Sequence, residues 1–497
     1  MFLKSSYLRV FLAAGLSLSH FWQARAASCL CCSTLASLSP GKVFFPNSSD
    51  YVSSLASYWA EQEQDMTPSC IFSPSSSQDV SVALSTVIVP QSCNFAVRGG
   101  GHASLTGASN INGGITIDLR NINSTSLSAD GSTVSVGGGQ IIGNVYSLLA
   151  EHELSIPAAR DYTIGMGGST LGGGLGYFGP KAGFAASSVV EYEIVLANGS
   201  LVAASAHENN DLWKALKGGG NNFGIVINFV FRTFPLGKIW AGDVLKNGST
   251  TTIEDTANAF SSFIANPNYD FNASAFVTYG FTASEAVLLT EYTYAAPVAN
   301  ASVFAGLLQV PGEVLEDDTA VTTLPEFSML SNSQSPSGLQ QITFAMSFEN
   351  DAEMLVNAWN ILNVSTPKIQ DIQGSSWGLT LEPILPSMAD NSTSLGLEIP
   401  QKGLILTICS ANFDLASDYA YMSNTVQQLL DDLITAAEEL GIYNRFIDMN
   451  HAMAGQNPFA GYGDANWEFL QVTAKKYDPK GVFQTLEPGG FKLWPSS

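Results

Sequence analysis

The chain is short of positive charge. Against 43 Asp and Glu it sets 20 Lys and Arg, a formal charge of −23 over 497 residues. A surface this acidic repels phosphate backbones and anionic lipid, which argues against nucleic acid and membranes as partners. Cysteine is scarce as well. Cys29, Cys31, Cys32, Cys70 and Cys93 fall in the first hundred residues, and Cys409 stands alone. No Cys-x-x-Cys pair has a matching second pair, so no metal site is expected. Histidine is rarer still, with five in all. After the N-terminal stretch, no uninterrupted apolar run reaches the ~18 residues a membrane span needs. No internal repeat or low-complexity tract is present.

What is there begins with a leader. Lys4 and Arg9 precede a mostly apolar stretch over residues 10–22, and Ala24-Arg25-Ala26 follows as a small-x-small cleavage site. This pattern predicts a signal peptide over residues 1–26, a mature chain starting near Ala27, and export. Removing the leader takes the charge to −26. Eight Asn-x-Ser/Thr sequons, at Asn47, Asn123, Asn198, Asn247, Asn272, Asn300, Asn363 and Asn391, agree with a secretory route. About half of them are expected to carry glycan. An oxidising compartment favours one or two disulfides from Cys31 or Cys32 to Cys70 or Cys93, with the pairing left open.

Glycine is unevenly distributed. Of 45 glycines, 25 lie between Gly99 and Gly224. Short β-like runs at residues 115–119, 133–136 and 189–195 alternate there with turns, which predicts an α+β unit whose turns gather on a ligand. Helical spacing is seen at residues 50–62 and 78–87, with Ser49 and Ser77 as possible N-caps, and at 208–217. Beyond residue 237 glycine thins. Runs at 275–279, 286–294 and 404–409 read as strands, and 414–440 and 467–477 as helices. This predicts a second α+β domain, a sheet covered by helices.

The stretch Phe95-Ala-Val-Arg-Gly-Gly-Gly-His102 is the most informative. It reads as a strand running into a side-chain-free turn, whose N–H groups form an anion nest beside a nucleophilic imidazole. That combination suggests a nucleotide cofactor, tethered at the histidine. Gly137-Gly-Gly139, residues 164–168, 172–176 and 218–224 supply four more glycine turns for one long ligand with a pyrophosphate. Gly174-Leu-Gly176-Tyr-Phe-Gly179, with Glu193 19 residues on, matches a Rossmann fingerprint only in letters. Glycines precede it where a strand is required, and Pro180 and Gly183 break the following turn.

Five stretches carry a resemblance to a known family. They are Pro68-Ser-Cys-Ile71, the segment ending at His102, Ile164-Gly-Met-Gly-Gly-Ser-Thr-Leu-Gly-Gly-Gly174, Asp211-Leu-Trp-Lys-Ala-Leu-Lys-Gly-Gly-Gly-Asn-Asn-Phe-Gly-Ile-Val226, and Tyr477-Asp-Pro-Lys-Gly-Val-Phe-Gln484 with Pro488-Gly-Gly-Phe-Lys-Leu493. Together they resemble the berberine-bridge-enzyme-like flavoproteins of the vanillyl-alcohol oxidase superfamily, in particular their secreted fungal branch. The resemblance runs from about residue 30 to 493. It implies a p-cresol-methylhydroxylase-type FAD-binding domain over residues 64–236, preceded by an N-terminal segment at 27–63. A substrate domain would span 237–442, and a C-terminal segment at 443–497 would return to the FAD domain. Arg98, Gly99, Gly100, Gly101, His102, Gly167, Gly168, Thr170, Leu171, Gly172, Gly173, Gly174, Gly224, Ile225, Val226 and Asn450 would line the cofactor. His102 matches the histidine bonded to the flavin.

Departures from the family pattern sharpen these expectations. Asp161, in Ala159-Arg-Asp-Tyr-Thr-Ile164, stands where many relatives carry a second flavin-linking cysteine, so a single link through His102 is expected. The usual Asn-Tyr pair reads Asn450-His451. Ile164 lies where the family's fold brings oxygen to the ring, which leaves oxidase and dehydrogenase both open. His451 is the expected catalytic base, since imidazole titrates near neutrality. Tyr443, Asp448 and Tyr462 compete for that role. The expected protein is a secreted, monomeric FAD-linked oxidoreductase that passes electrons from a small organic molecule to oxygen or another acceptor. Fungal secondary-metabolite chemistry is the leading setting. Oligosaccharide oxidation and a non-catalytic extracellular scaffold are the alternatives.

Overall fold

A computed structural model describes residues 30–281 and 285–494. The expected leader and Cys29 lie outside the described residues. Among the described residues, no helix is long and apolar enough to cross a membrane.

The architecture is α+β. A small mixed sheet runs in the order Val43–Phe44, Cys70–Phe72, Ile115–Asp118, Phe95–Arg98. Its last three strands are parallel and almost wholly buried, as parallel strands tend to be. A five-stranded antiparallel sheet follows, in the order Thr125–Leu127, Thr133–Gly137, Ile225–Arg232, Val189–Val195, Leu201–Ser205. Two disulfides tie the N-terminal segment beneath the small sheet, Cys31 to Cys93 and Cys32 to Cys70. These resolve the pairing that the sequence leaves open. Cys409 is free and buried.

Ile239–Asn247 opens a nine-stranded sheet. It continues through Ala286–Tyr294, Ala273–Phe281, Ser376–Ile384, Leu404–Phe413 and Gln340–Glu349 to Tyr443–Asn444, and every pairing is antiparallel. Helices Thr250–Ile264, Ala352–Ser365 and Tyr419–Glu439 cover one face. Side chains on successive strand residues point to opposite faces. Val277, Tyr279, Ile342, Phe344, Leu379, Leu381, Cys409 and Ala411 take the covered face as core. Trp359 locks a helix to that face, stacking on Phe281 at 4.9 Å and meeting Tyr279 edge-on at 5.5 Å. The alternate residues are mostly polar and face a cavity.

The elements that the sequence marks lie within a few residues of observed ones, whereas Ile239–Asn247, Gln340–Glu349, Ser376–Ile384, Thr250–Ile264 and Ala352–Ser365 carry no such mark. The first predicted helix is two, Ser49–Leu55 and Glu61–Gln64, and its cap is Ser48 rather than Ser49. The second is capped by Ser76 and passes at Ala83 into a π-helical turn. Ser-Ala-Asn-Phe at residues 410–413 extends the strand expected at 404–409, so the long helix begins only at Tyr419.

Candidate active site

One cavity of about 560 Å³ lies between the two smaller sheets and the nine-stranded sheet. Its cofactor end is built from backbone. Phe95–Arg98 ends the small sheet and hands the chain to Gly99, Gly100 and Gly101, all on the cavity wall. Gly101 turns at φ +81°, a conformation that L side chains rarely adopt. A Cβ on Gly100 would strike the backbone of Gly165, so these two turns pack main chain to main chain. Gly168, also on the wall, faces open space, which leaves room for a ligand against the backbone of Met166–Leu171.

Gly167, Leu171, Gly174, Gly224, Ile225, Val226 and Asn450 also line the cavity. Thr170, Gly172 and Gly173 lie behind the wall. A Cβ on Gly172 would meet the Asn450 amide, so that glycine makes room for the asparagine, whose Nδ2 donates to Ser169 O at 3.0 Å. Arg98 is spent on structure. Its guanidinium donates to Ser54 O at 2.6 Å and Ser57 O at 2.9 Å, and lies 3.7 Å from the Tyr58 ring centroid. It braces the strand end and does not reach the ligand space.

His102 enters the cavity from the glycine turn. Trp59 stacks on its imidazole at 4.5 Å, 9° from parallel. Its Nε2 is buried without a hydrogen-bond partner. Burial holds the imidazole below its usual pKa, against the opposing charge of Asp161. A neutral ring with a free nitrogen is the nucleophilic form. Asp161 shares the cavity and accepts from Ser331 Oγ at 2.6 Å. Ile164 lines the wall between them and Gly165.

His451 lies on the same wall, its Nδ1 2.6 Å from Asp448 Oδ2. Burial works against the imidazolium. The hydrogen bond and charge of Asp448, with the charge of Glu382, outweigh it, so the pKa is raised. Asp448 is itself buried and serves as orienter. Tyr462 is elsewhere. Its buried hydroxyl donates to Gly218 O at 3.1 Å, and burial raises its pKa far out of the working range. It does not line the cavity, so the expectation of Tyr462 as a catalytic residue gives way to a structural role.

The nine-stranded sheet forms the far wall, and sequence reasoning missed its chemistry. Phe276, Thr278, Leu289, Glu291, Gln341, Thr343, Thr380, Glu382, Ser410 and Asn412 all face inward. Arg160 bridges the two acids, 2.9 Å from Glu382 and 3.7 Å from Glu291, with Phe276 beneath it at 5.1 Å. Burial pushes both carboxyls up despite Arg160, Glu291 the further. Glu291 Oε1 is left without a hydrogen-bond partner. The available signal was a lone acid inside each of two otherwise uncharged strands, Ala286–Tyr294 and Ser376–Ile384. A charge in a buried strand is rarely idle.

A glycine-walled groove, a buried imidazole with a free nitrogen and a polar chamber beside it fit a flavin nucleotide. Residues 68–205 match the family model for an FAD binding domain. The FAD-dependent monooxygenase sdcF of Emericella nidulans is 33% identical over 479 residues, 93% of this chain and 98% of the relative. Among solved structures, 6-hydroxy-D-nicotine oxidase from Arthrobacter nicotinovorans superposes with a TM-score of 0.76 at 22% identity, over 92% of this chain and 98% of that one. Glucooligosaccharide oxidase from Acremonium strictum, described with a 6-S-cysteinyl, 8α-N1-histidyl FAD, gives 0.73 at 18%, over 93% and 100%. The chain belongs to the FAD-linked oxidoreductases with a p-cresol-methylhydroxylase-type FAD-binding domain, and it is an FAD-dependent oxidoreductase.

Proposed function

We propose that this is a secreted oxidoreductase that oxidises a small, oxygen-bearing organic molecule in fungal secondary metabolism, with FAD linked once, through His102. The carrying observation is that a single cavity holds His102, with its free ring nitrogen, and the Asp448-held His451. The bound FAD would supply a two-electron acceptor for the substrate's hydride. His451, neutral, removes the accompanying proton from a substrate O–H or C–H, and Asp448 stabilises the imidazolium that results. Asn450 fixes the wall beside it. Asp161 has no thiol to offer, so no second link forms. The two disulfides support an oxidising compartment.

Oligosaccharide oxidation is the second reading, supported by the hydroxyl- and amide-lined wall of Thr278, Thr343, Thr380, Ser410 and Asn412. One preparation tests both layers. Acid-denatured protein should keep its flavin absorbance in the pellet, and His102→Ala should release it to the supernatant. Anaerobic addition of phenolic alcohols and of cello- or xylo-oligosaccharides should then bleach the yellow colour with one class only. Flavin lost to the supernatant from the unaltered protein would overturn the link.

A further inference from the structure

The C-terminal tail carries a buried pair that the reading so far leaves unused. The tail runs back along the edge of the small sheet, where Phe95 N donates to Leu486 O at 2.8 Å. The glycine loop after Asn210–Leu216 holds it on the other side. Asn221 Nδ2 donates to Gly489 O at 3.2 Å, and Asn222 Nδ2 to Phe491 O at 3.0 Å. Glu487 is thereby pinned between the two smaller sheets at 1% exposure, and it lines the cavity with Val97, Asn221 and Gly490.

Both Glu487 oxygens, and the ammonium of Lys492, are sealed from solvent without a hydrogen-bond partner. Asn221 and the Val97 amide are near enough to favour the charged carboxylate, yet neither meets hydrogen-bond geometry with it. Burial raises the Glu487 carboxyl and lowers the Lys492 ammonium, each opposed by the other's charge. A buried carboxyl whose two acceptors lack donors is unfavourable unless something donates to it. The phosphates of FAD cannot, since they carry acceptors and negative charge. The cofactor's donors are the adenine amino group, the flavin N3–H and the sugar hydroxyls, and neighbouring hydroxyls on one sugar can donate to both carboxylate oxygens at once.

We propose that Glu487 is a cofactor-binding residue that accepts hydrogen bonds from the sugar hydroxyls of FAD, with Lys492 as its counter-charge. The proposal rests on FAD occupying this cavity, not on the link at His102. It makes the tail part of the cofactor site, closing the groove after the two glycine turns have formed it.

The test uses the full chain with His102→Ala, so that binding is reversible, freed of flavin and titrated with FAD, FMN and ADP. Glu487→Ala should raise the Kd for FAD about tenfold or more, as loss of a charge-assisted bond does. Glu487→Gln, which keeps the shape and removes one acceptor and the charge, should raise it about fivefold. A parallel loss for FMN assigns the ribityl chain, and a parallel loss for ADP assigns the ribose. Either supports the proposal. Unchanged affinity for all three in Glu487→Gln, with a melting temperature at or above the parent's, would overturn it, and that variant decides if the alanine form does not fold. A parent protein that binds no FAD at all would overturn both this inference and the cofactor reading.

Discussion

At the scale of single residues, the His451–Asp448 contact sets the sharpest expectation. Asp448 favours the imidazolium, so the pKa of His451 sits above the ordinary value near 6.5. A base must be neutral to act. The rate of anaerobic flavin reduction should therefore rise with pH, with a midpoint above about 6.5. Asp448→Asn removes the raising partner and should move the midpoint down. His451→Ala should slow reduction by about 10²- to 10⁴-fold while flavin stays bound, as loss of a general base does. Stopped-flow spectra read both, and a pH profile unmoved by Asp448→Asn would remove the pair from the mechanism. Much of this was visible in the sequence. His102 closes a glycine turn, and His451 follows an asparagine that the family resemblance marks. Arg98 and Tyr462 were not separable from the site by sequence. Whether a guanidinium or phenol faces a ligand or a main-chain carbonyl depends on a rotation that no neighbouring residue in the chain determines.

At the scale of elements, the nine-stranded sheet explains why the substrate wall escaped notice. Strands with helices on one face and a cavity wall on the other are largely buried on both sides, so the alternation that marks a half-exposed strand is muted. The strands themselves were legible at 286–294 and, in part, at 275–279 and 404–409. The partnership of Glu291 and Glu382 was not, because Arg160 reaches them from a loop more than a hundred residues away. Their dependence on Arg160 is testable. Arg160→Met strands two buried carboxyls, and losing one partner of a buried pair costs about 3–5 kcal/mol. The loss should be larger at high pH, where ionisation of the acids is favoured, than at low pH, where their raised pKa values favour the neutral form. Adding Glu291→Gln and Glu382→Gln should restore most of the urea midpoint at pH 8. A pH-independent loss would place the effect in packing over Phe276 instead.

At the scale of the whole molecule, covalent staples and buried charge pull on stability from different sides. The disulfides close loops of 62 and 38 residues, worth roughly 4 kcal/mol each in the chain-entropy account. Cys32→Ser with Cys70→Ser should lower the urea midpoint by a matching amount. Seven sequon asparagines are exposed, whereas Asn272 is half-buried with its amide donating to Asp270 and accepting from Lys181. Glycopeptide mapping should find Asn272 bare. Buried acids set the pH response. Burial raises Asp243 to about 6, with Gln334 opposing and Asp318 adding, and it raises Glu291, Glu382 and Glu487 as well. A group whose folded pKa is raised contributes stability below its unfolded value, and loses it as pH climbs through the folded one. For Asp243 alone a shift of about two units is worth about 3 kcal/mol, lost between about pH 4 and 6. The raised imidazole of His451 acts in the same direction. The lowered imidazole of His102 opposes it, losing stability as pH falls below about 6.5. Burial also lowers Lys217 to about 8, which opposes the acids only as pH nears 8. With several acids against one imidazole and that lysine, the protein should unfold at higher urea at pH 5 than at pH 8. Asp243→Asn should narrow that gap, by stabilising the protein at pH 8 and leaving pH 5 nearly unchanged. A midpoint that instead rises with pH would show that these buried acids do not govern the response.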